Sequence, residues 1–198
     1  MCSSDLVTIR TAGWSSLRRM TDDTRLLAVL DGIRERGAIG EASLDAAVAH
    51  AEQYLRHIPA NARTLADLGS GGGLPGLVIA VRRPDLAVVL VERRTQRADL
   101  LRRAVSSLDL GSRVEVQATD VKELADDRAG TFDVVTARSF AAPDVTAHWA
   151  SRLLLDGGVL IVSEPPIDQP DRWPAELLDR LGLIDLGREQ GIRTLQRR

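Results

Sequence analysis

The ten residues Asp67-Leu68-Gly69-Ser70-Gly71-Gly72-Gly73-Leu74-Pro75-Gly76 constrain the fold of this chain more than any others. The apolar run before them reads as a short strand, and four glycines within five positions, at 69, 71, 72 and 73, then break it. Without β-carbons the turn can take positive φ and let a ligand lie against main chain. Pro75 suits a first helical position, where its missing N–H leaves no bond unmade. A strand that passes through a glycine turn into a helix is the ligand-binding corner of open α/β sheets. The bland reading, in which the glycines only make a tight turn, stays open.

Beyond Asn61, short apolar runs alternate with amphipathic stretches, the pattern of strands and helices built around a parallel sheet. The expected strands are Thr64 to Leu68, Ala87 to Val91, Val114 to Ala118, Phe132 to Ala137 and Val159 to Val162. Between the second and third, Ala98, Leu101, Val105 and Leu108 recur at helical spacing. Further helices are expected from Gly76 to Arg83 and from Val145 to Leu154. Leu183 to Leu186 and Ile192 to Leu195, joined through Gly187 and Gly191, read as a hairpin that would add antiparallel strand to the sheet. Upstream, Leu26, Leu27, Leu30 and Ile33 mark a helix stopped by Gly37. Ser43 caps a second, whose stripe of Leu44, Ala47, Val48, Ala51, Leu55 and Ile58 ends at Pro59. Residues 1–60 are thus expected to form an N-terminal helical segment and 61–198 the ligand-binding core, within one compact domain. The first twenty residues are expected to be irregular.

With 198 residues and 44% hydrophobic side chains, the chain can bury most of its apolar surface without cross-links. A net charge of -2 gives no whole-molecule attraction to nucleic acid, so any RNA contact must be a local patch. The densest basic region is Arg82, Arg83, Arg93, Arg94, Arg97, Arg102 and Arg103, read either as phosphate contacts or as solvated helix faces. Cys2 is alone, which excludes an internal disulfide. His50, His57 and His148 lack the spacing of a metalloprotease helix, so no metal site is expected. No stretch approaches the roughly 18 apolar residues of a membrane span, and a cytoplasmic location away from membranes is expected. Trp149 and Trp173 are expected to pack.

Two cofactor readings compete at the glycine turn. Gly71-x-Gly73-x-x-Gly76 satisfies a dinucleotide fingerprint, with Glu92 placed to hold the two ribose hydroxyls. Asp67 separates them, because a carboxylate just before the glycines repels a pyrophosphate yet suits a cofactor with a cationic amino-acid end. S-adenosyl-L-methionine is such a cofactor. At the end of the third strand, Asp120 either accepts from an adenine amino group or caps a helix, and the main chain of Val121 and Lys122 offers the same contact. Arg138, with Phe140, falls at the carboxyl edge of the fourth strand, where open sheets bind ligands. It is read as a contact to a cofactor carboxylate or an RNA phosphate, or else as an ion pair.

These segments, with Arg82-Arg83-Pro84-Asp85-Leu86 leading to Val91-Glu92 and with Arg138-Ser139-Phe140-Ala141, resemble the bacterial small-subunit ribosomal RNA guanine-N7 methyltransferases, also called glucose-inhibited division protein B. The resemblance covers roughly Asn61 to Val162. It implies a class I methyltransferase fold, Rossmann-like, and S-adenosyl-L-methionine as cofactor, with ribosomal RNA or the small ribosomal subunit as partner. It also implies cofactor contacts from Gly69, Leu74, Val121, Lys122 and Arg138; Asp67 and Glu92 carry over from the wider fold, and Gly71 and Gly73 complete the turn. No catalytic acid or base is implied, since guanine N7 already presents its lone pair. The chain departs from the family pattern at His50-Ala51-Glu52 and at Ser163-Glu164-Pro165-Pro166, where the family shows Lys-Gly. The Glu164 segment is read as a loop stiffener. A small-molecule methyltransferase, a cofactor-binding protein without turnover and a nicotinamide enzyme are the alternatives.

Overall fold

The computed structural model describes residues 20, 22–40, 43–165 and 171–198. The irregular lead segment expected up to residue 20, Cys2 within it, and Pro166 thus fall outside the described residues, Met20 apart. The strands are β1 (Thr64–Leu68), β2 (Ala87–Val91), β3 (Val114–Gln117), β4 (Phe132–Ala137), β5 (Leu154–Ser163), β6 (Leu183–Glu189) and β7 (Ile192–Arg197). They form one sheet in the order β3-β2-β1-β4-β5-β7-β6. The first five run parallel, and the β6–β7 hairpin joins β5 antiparallel through β7. Strand order reverses direction at β1, which has β2 on one side and β4 on the other. The carboxyl ends of β1 and β4 therefore open onto a crevice, the place where such sheets bind ligands.

Helices cover both faces, as parallel strands require when they are apolar on both sides. On one face lie α1 (22–34), α2 (Leu44–Gln53), α3 (Gly76–Arg82) and α4 (Thr95–Ser107). Their buried side chains, among them Leu30, Ala51, Ile79 and Leu101, meet Leu65, Leu90, Val134 and Ile161 of the strands. The other face is covered by α5 (Val121–Asp127), α6 (Pro143–Leu153) and α7 (Ala175–Arg180). There Leu124, Ala147, Ala150 and Leu178 pack on Ala66, Val89, Val135 and Leu160. Alternation along each strand sorts the two sets, Leu65 to one side and Ala66 to the other. No helix among the described residues is long and apolar enough to cross a membrane.

The expected elements form with a few differences. The stripe of the second helix persists, but α2 stops at Gln53 and tightens into a 3-10 turn, Tyr54–His57, which sinks Tyr54 to full burial. The stretch from Leu154 is strand from its first residue, because α6 runs straight into β5 and the register slips between Phe132 and Val134 of β4. The third strand ends at Gln117, short of Ala118. Helix α5 is the one that the capping reading of Asp120 implies, and α7, six residues long, has no counterpart among the expected helices.

Candidate functional site

At the crevice the glycine turn is tied to its neighbours by main chain. The Ser70 N–H donates to the Val91 carbonyl at 2.9 Å, and the Glu92 N–H to that of Gln117 at 3.0 Å. Glu92 then holds the turn with its side chain. Its Oε2 accepts from the Gly71 N–H at 3.0 Å and its Oε1 from the Arg94 N–H at 2.8 Å. Each carboxylate oxygen thus spends one lone pair on the protein and keeps another for a ligand. Glu92, expected from the sequence to hold two ribose hydroxyls, thus also braces the turn with the same two oxygens.

A cleft of about 420 Å³ opens here, lined by Gly69, Glu92, Asp120, Val121, Phe140 and Trp149 and flanked by Arg93, Arg94 and Arg97. Gly69 has φ of 65°, and a β-carbon on it would lie 2.8 Å from the Phe140 ring, so the aromatic rests directly on bare main chain. Asp120 caps α5, its Oδ1 accepting from the Lys122 N–H at 3.0 Å, and its exposed side chain also reaches the cleft. The capping reading of Asp120 is the one the hydrogen bond shows. Val121 is buried at the cleft wall, whereas the side chain of Lys122 is exposed and outside it.

Six of the expected site residues are not in the cleft wall: Lys122, Gly71, Gly73, Leu74, Asp67 and Arg138. Gly73 and Leu74 are buried in the packing beneath the turn, Leu74 within the core cluster and Gly73 against Leu77. Asp67 and Arg138 face the other way for a reason that can be counted along the strands. Residues 65, 67, 134, 136 and 138 share one side, the side covered by α2 and α3. Asp67 is 1% exposed, and register sets it opposite Thr136, whose hydroxyl donates to Asp67 Oδ1 at 2.7 Å. Burial pushes its carboxyl up to about 6, against the pull of that hydrogen bond and, more weakly, of the Arg138 charge. The acid therefore lies buried under the turn, outside the cleft wall.

Arg138 shares that buried layer. Its charge and, more strongly, burial hold the His50 imidazole below its usual range. Burial also pushes the Tyr54 hydroxyl up to about 12, while its O–H donates to the Ala137 carbonyl at 3.2 Å. Three buried polar atoms of this layer have no hydrogen-bond partner among the described residues: Gln53 Oε1, Asp67 Oδ2 and Arg138 Nη1. Gln53 was invisible to sequence reasoning because it lies off the apolar stripe of its helix. A buried acceptor and a buried guanidinium donor left unmade near one another are costly unless a ligand completes them.

The basic region divides. Arg82 is tied to Glu52 at 2.7 Å and to Asp23, Arg83 to Asp85 at 2.8 Å, and Arg102 to Asp99 at 2.7 Å. Arg93, Arg94 and Arg97 instead edge the cleft. Trp149 lies at the cleft with the Arg152 guanidinium 5.5 Å from its ring centre, and Trp173 packs in the core at 4% exposure.

A family model described as GidB, rRNA small subunit methyltransferase G, matches residues 43–164, more than half of the chain. The chain belongs to this family. Among curated relatives, the Ribosomal RNA small subunit methyltransferase G of Salinispora arenicola (strain CNS-205) is 43% identical over 143 residues, 68% of this chain and 58% of that protein. That of Salinispora tropica is 41% identical over 166 residues, 79% of this chain and 67% of the relative. The matched part thus spans 58% of the length of the first of these family members. Among solved structures, an O-methyltransferase family protein from Burkholderia thailandensis aligns with a TM-score of 0.59 at 23% identity, covering 77% of this chain and 57% of that one. A cofactor-bound protein from MTB aligns with a TM-score of 0.59 at 21% identity over 89% of each chain. These likenesses establish the fold of the family member described here, the α/β class I methyltransferase architecture, Rossmann-like, that the sequence leads one to expect.

Proposed function

We propose that this protein is an S-adenosyl-L-methionine-dependent methyltransferase that acts on guanine N7 of small-subunit ribosomal RNA, in the cytoplasm. The observation that carries the reading is the pairing of an unpartnered acid oxygen, Asp67 Oδ2, with an unpartnered guanidinium nitrogen, Arg138 Nη1, under the ends of β1 and β4. That donor and acceptor set suits the amino-acid end of the cofactor, whose ammonium seeks the acid and whose carboxylate seeks the arginine. The bare main chain of Gly69 and the remaining lone pairs of Glu92 suit its nucleoside half, and Val121 suits the adenine. The residues present therefore fit the group.

When bound, S-adenosyl-L-methionine supplies an electrophilic methyl on a positively charged sulfur. Everything else falls to the chain. Glu92, through the Gly71 and Arg94 N–H groups, fixes the shape of the turn on which the nucleoside lies. Phe140, seated on Gly69, separates the cleft from the neighbouring pocket and gives a planar wall to an entering base. Because N7 holds its lone pair in the ring plane, no side chain has to remove a proton before the new N–C bond forms. Catalysis then rests on holding N7 within about 3 to 3.5 Å of the methyl carbon and in line with the bond that breaks.

The test is transfer of labelled methyl to small-subunit RNA that lacks the modification, run beside calorimetry with S-adenosylhomocysteine. Incorporation that maps to one guanine N7 is expected. Tight cofactor binding with no incorporation into RNA would overturn the substrate, and NAD binding with no response to the methyl donor would overturn the cofactor.

A further inference from the structure

Behind Phe140 lies a second pocket, of about 310 Å³, between the ends of β4 and β5. It shares Ser139, Phe140 and Ala141 with the cleft, so one wall divides the two spaces. Its volume is at the small end of ligand sites. On its far side stands Glu164, with a side chain only 3% exposed. The Trp173 indole N–H donates to its Oε1 at 2.7 Å, and Arg172 reaches the same oxygen at 3.2 Å. Its backbone is pinned as well, the Glu164 N–H donating to the Gly191 carbonyl at 2.7 Å. Both side-chain bonds fall on Oε1, and among the described residues no donor reaches Oε2.

A carboxylate held this firmly in a pocket the size of a base accepts and cannot donate. We propose that Glu164 selects the acceptor base by taking the N1–H and 2-amino hydrogens of guanine, an assignment that rests on the RNA methyltransferase reading above. Those two donors lie side by side on one edge of guanine, and N7 lies on the opposite side of the purine. A guanine anchored at Glu164 therefore turns N7 back toward Phe140 and the cleft. Adenine would present a bare N1 lone pair to the same carboxylate and be repelled. The acid that stands where the family shows Lys-Gly thus acquires a task in recognition, and the loop-stiffening role expected for it becomes secondary.

The experiment compares kcat/KM for a short synthetic RNA carrying the methylated position as guanosine or as inosine, which lacks the 2-amino group. It uses the wild-type protein and the Glu164→Gln variant, with S-adenosylhomocysteine affinity and thermal midpoint measured for both. The wild type is expected to favour guanosine by about 10- to 100-fold, the range for a hydrogen bond to a charged group. Glu164→Gln should lose rate on guanosine and little on inosine, with cofactor affinity unchanged within twofold. Equal losses on both RNAs would make Glu164 a structural anchor and overturn the proposal. Equal use of guanosine and inosine by the wild type would overturn it even if the variant fails to fold. Cofactor binding without transfer to any RNA would overturn the underlying reading as well, so the two failures are told apart.

Discussion

A β-carbon on Gly76 would lie 2.6 Å from Asp67 Oδ2, so the first residue of α3 is a glycine because the buried acid occupies the space its side chain would need. The helix and the acid are fitted to each other, and the unpartnered oxygen of Asp67 sits against that helix start.

Gly76→Ala is expected to destabilise the fold by about 1 to 3 kcal/mol, the usual cost of overpacking a filled core. The added methyl would also meet Leu90 Cδ2 at 2.4 Å, and Leu90 is fully buried. Denaturant midpoints of Gly76→Ala, Asp67→Ala and the double variant check this. Truncating Asp67 should recover part of the loss, giving a coupling that two independent sites would not show.

The acid has a pH signature of its own. Its carboxyl titrates near 6 in the folded protein against an ordinary value of 3.8, so between those values the native state holds a proton that the unfolded chain has released. This residue's contribution to stability therefore falls as pH rises from about 4 to about 6, and the full cost, about 3 kcal/mol, is reached above that window. Asp67→Asn, which cannot ionise, should gain on the wild type by up to that amount between pH 4 and pH 7. Urea unfolding of both proteins across the range measures the difference; a gap that does not change with pH would refute it. An ammonium bound to the same carboxyl draws it down, so S-adenosylhomocysteine, which keeps that ammonium, should release protons on binding near pH 5.5 in the wild type and none through this group in Asp67→Asn.

Much of this was legible in the chain. Apolar runs of four to six residues locate β1 to β4, and the glycine turn, Glu92 and Asp120 locate the cleft, because the spacing of a strand, a turn and a helix is written locally. The orientation of Asp67 and Arg138 was also countable, once Leu65 and Val134 are known to face α2 and α3. Which face that is depends on which helices cross over it. The wall between Phe140 and Gly69 joins residues far apart in sequence, and so does the acid pocket formed by Ser139, Glu164 and Trp173. No local period encodes such meetings. The stiff loop inferred from two prolines concealed a buried carboxylate for that reason.

Glu92→Ala removes both acceptors that shape the turn, leaving the Gly71 and Arg94 N–H groups unmatched. Affinity for S-adenosylhomocysteine should fall by about 10- to 100-fold, the range for hydrogen bonds to a charged acceptor. Calorimetry reads the loss. Glu92→Gln should recover part of it, since one amide oxygen can still accept from one of the two N–H groups.

If RNA is the substrate, as proposed, the arginines at the cleft are the ones placed to meet it. Arg82, Arg83 and Arg102 are occupied by carboxylates of the chain, and releasing them to a phosphate would break an existing pair. Among the described residues Arg93, Arg94 and Arg97 have no such partner, and they edge the cleft. Each that touches a phosphate contributes about 0.7 to 0.9 to the slope of log affinity against log salt. Replacing Arg93, Arg94 and Arg97 by alanine should therefore lower that slope by about two to three for a small-subunit RNA fragment and weaken binding most at low salt. Arg83→Ala is the control. It removes one arginine charge away from the cleft and takes from Asp85 the partner that holds its carboxyl down at about 2, so it should cost some stability and leave the slope unchanged. Equal slopes for the triple variant and the wild type would move the RNA path to another face of the protein.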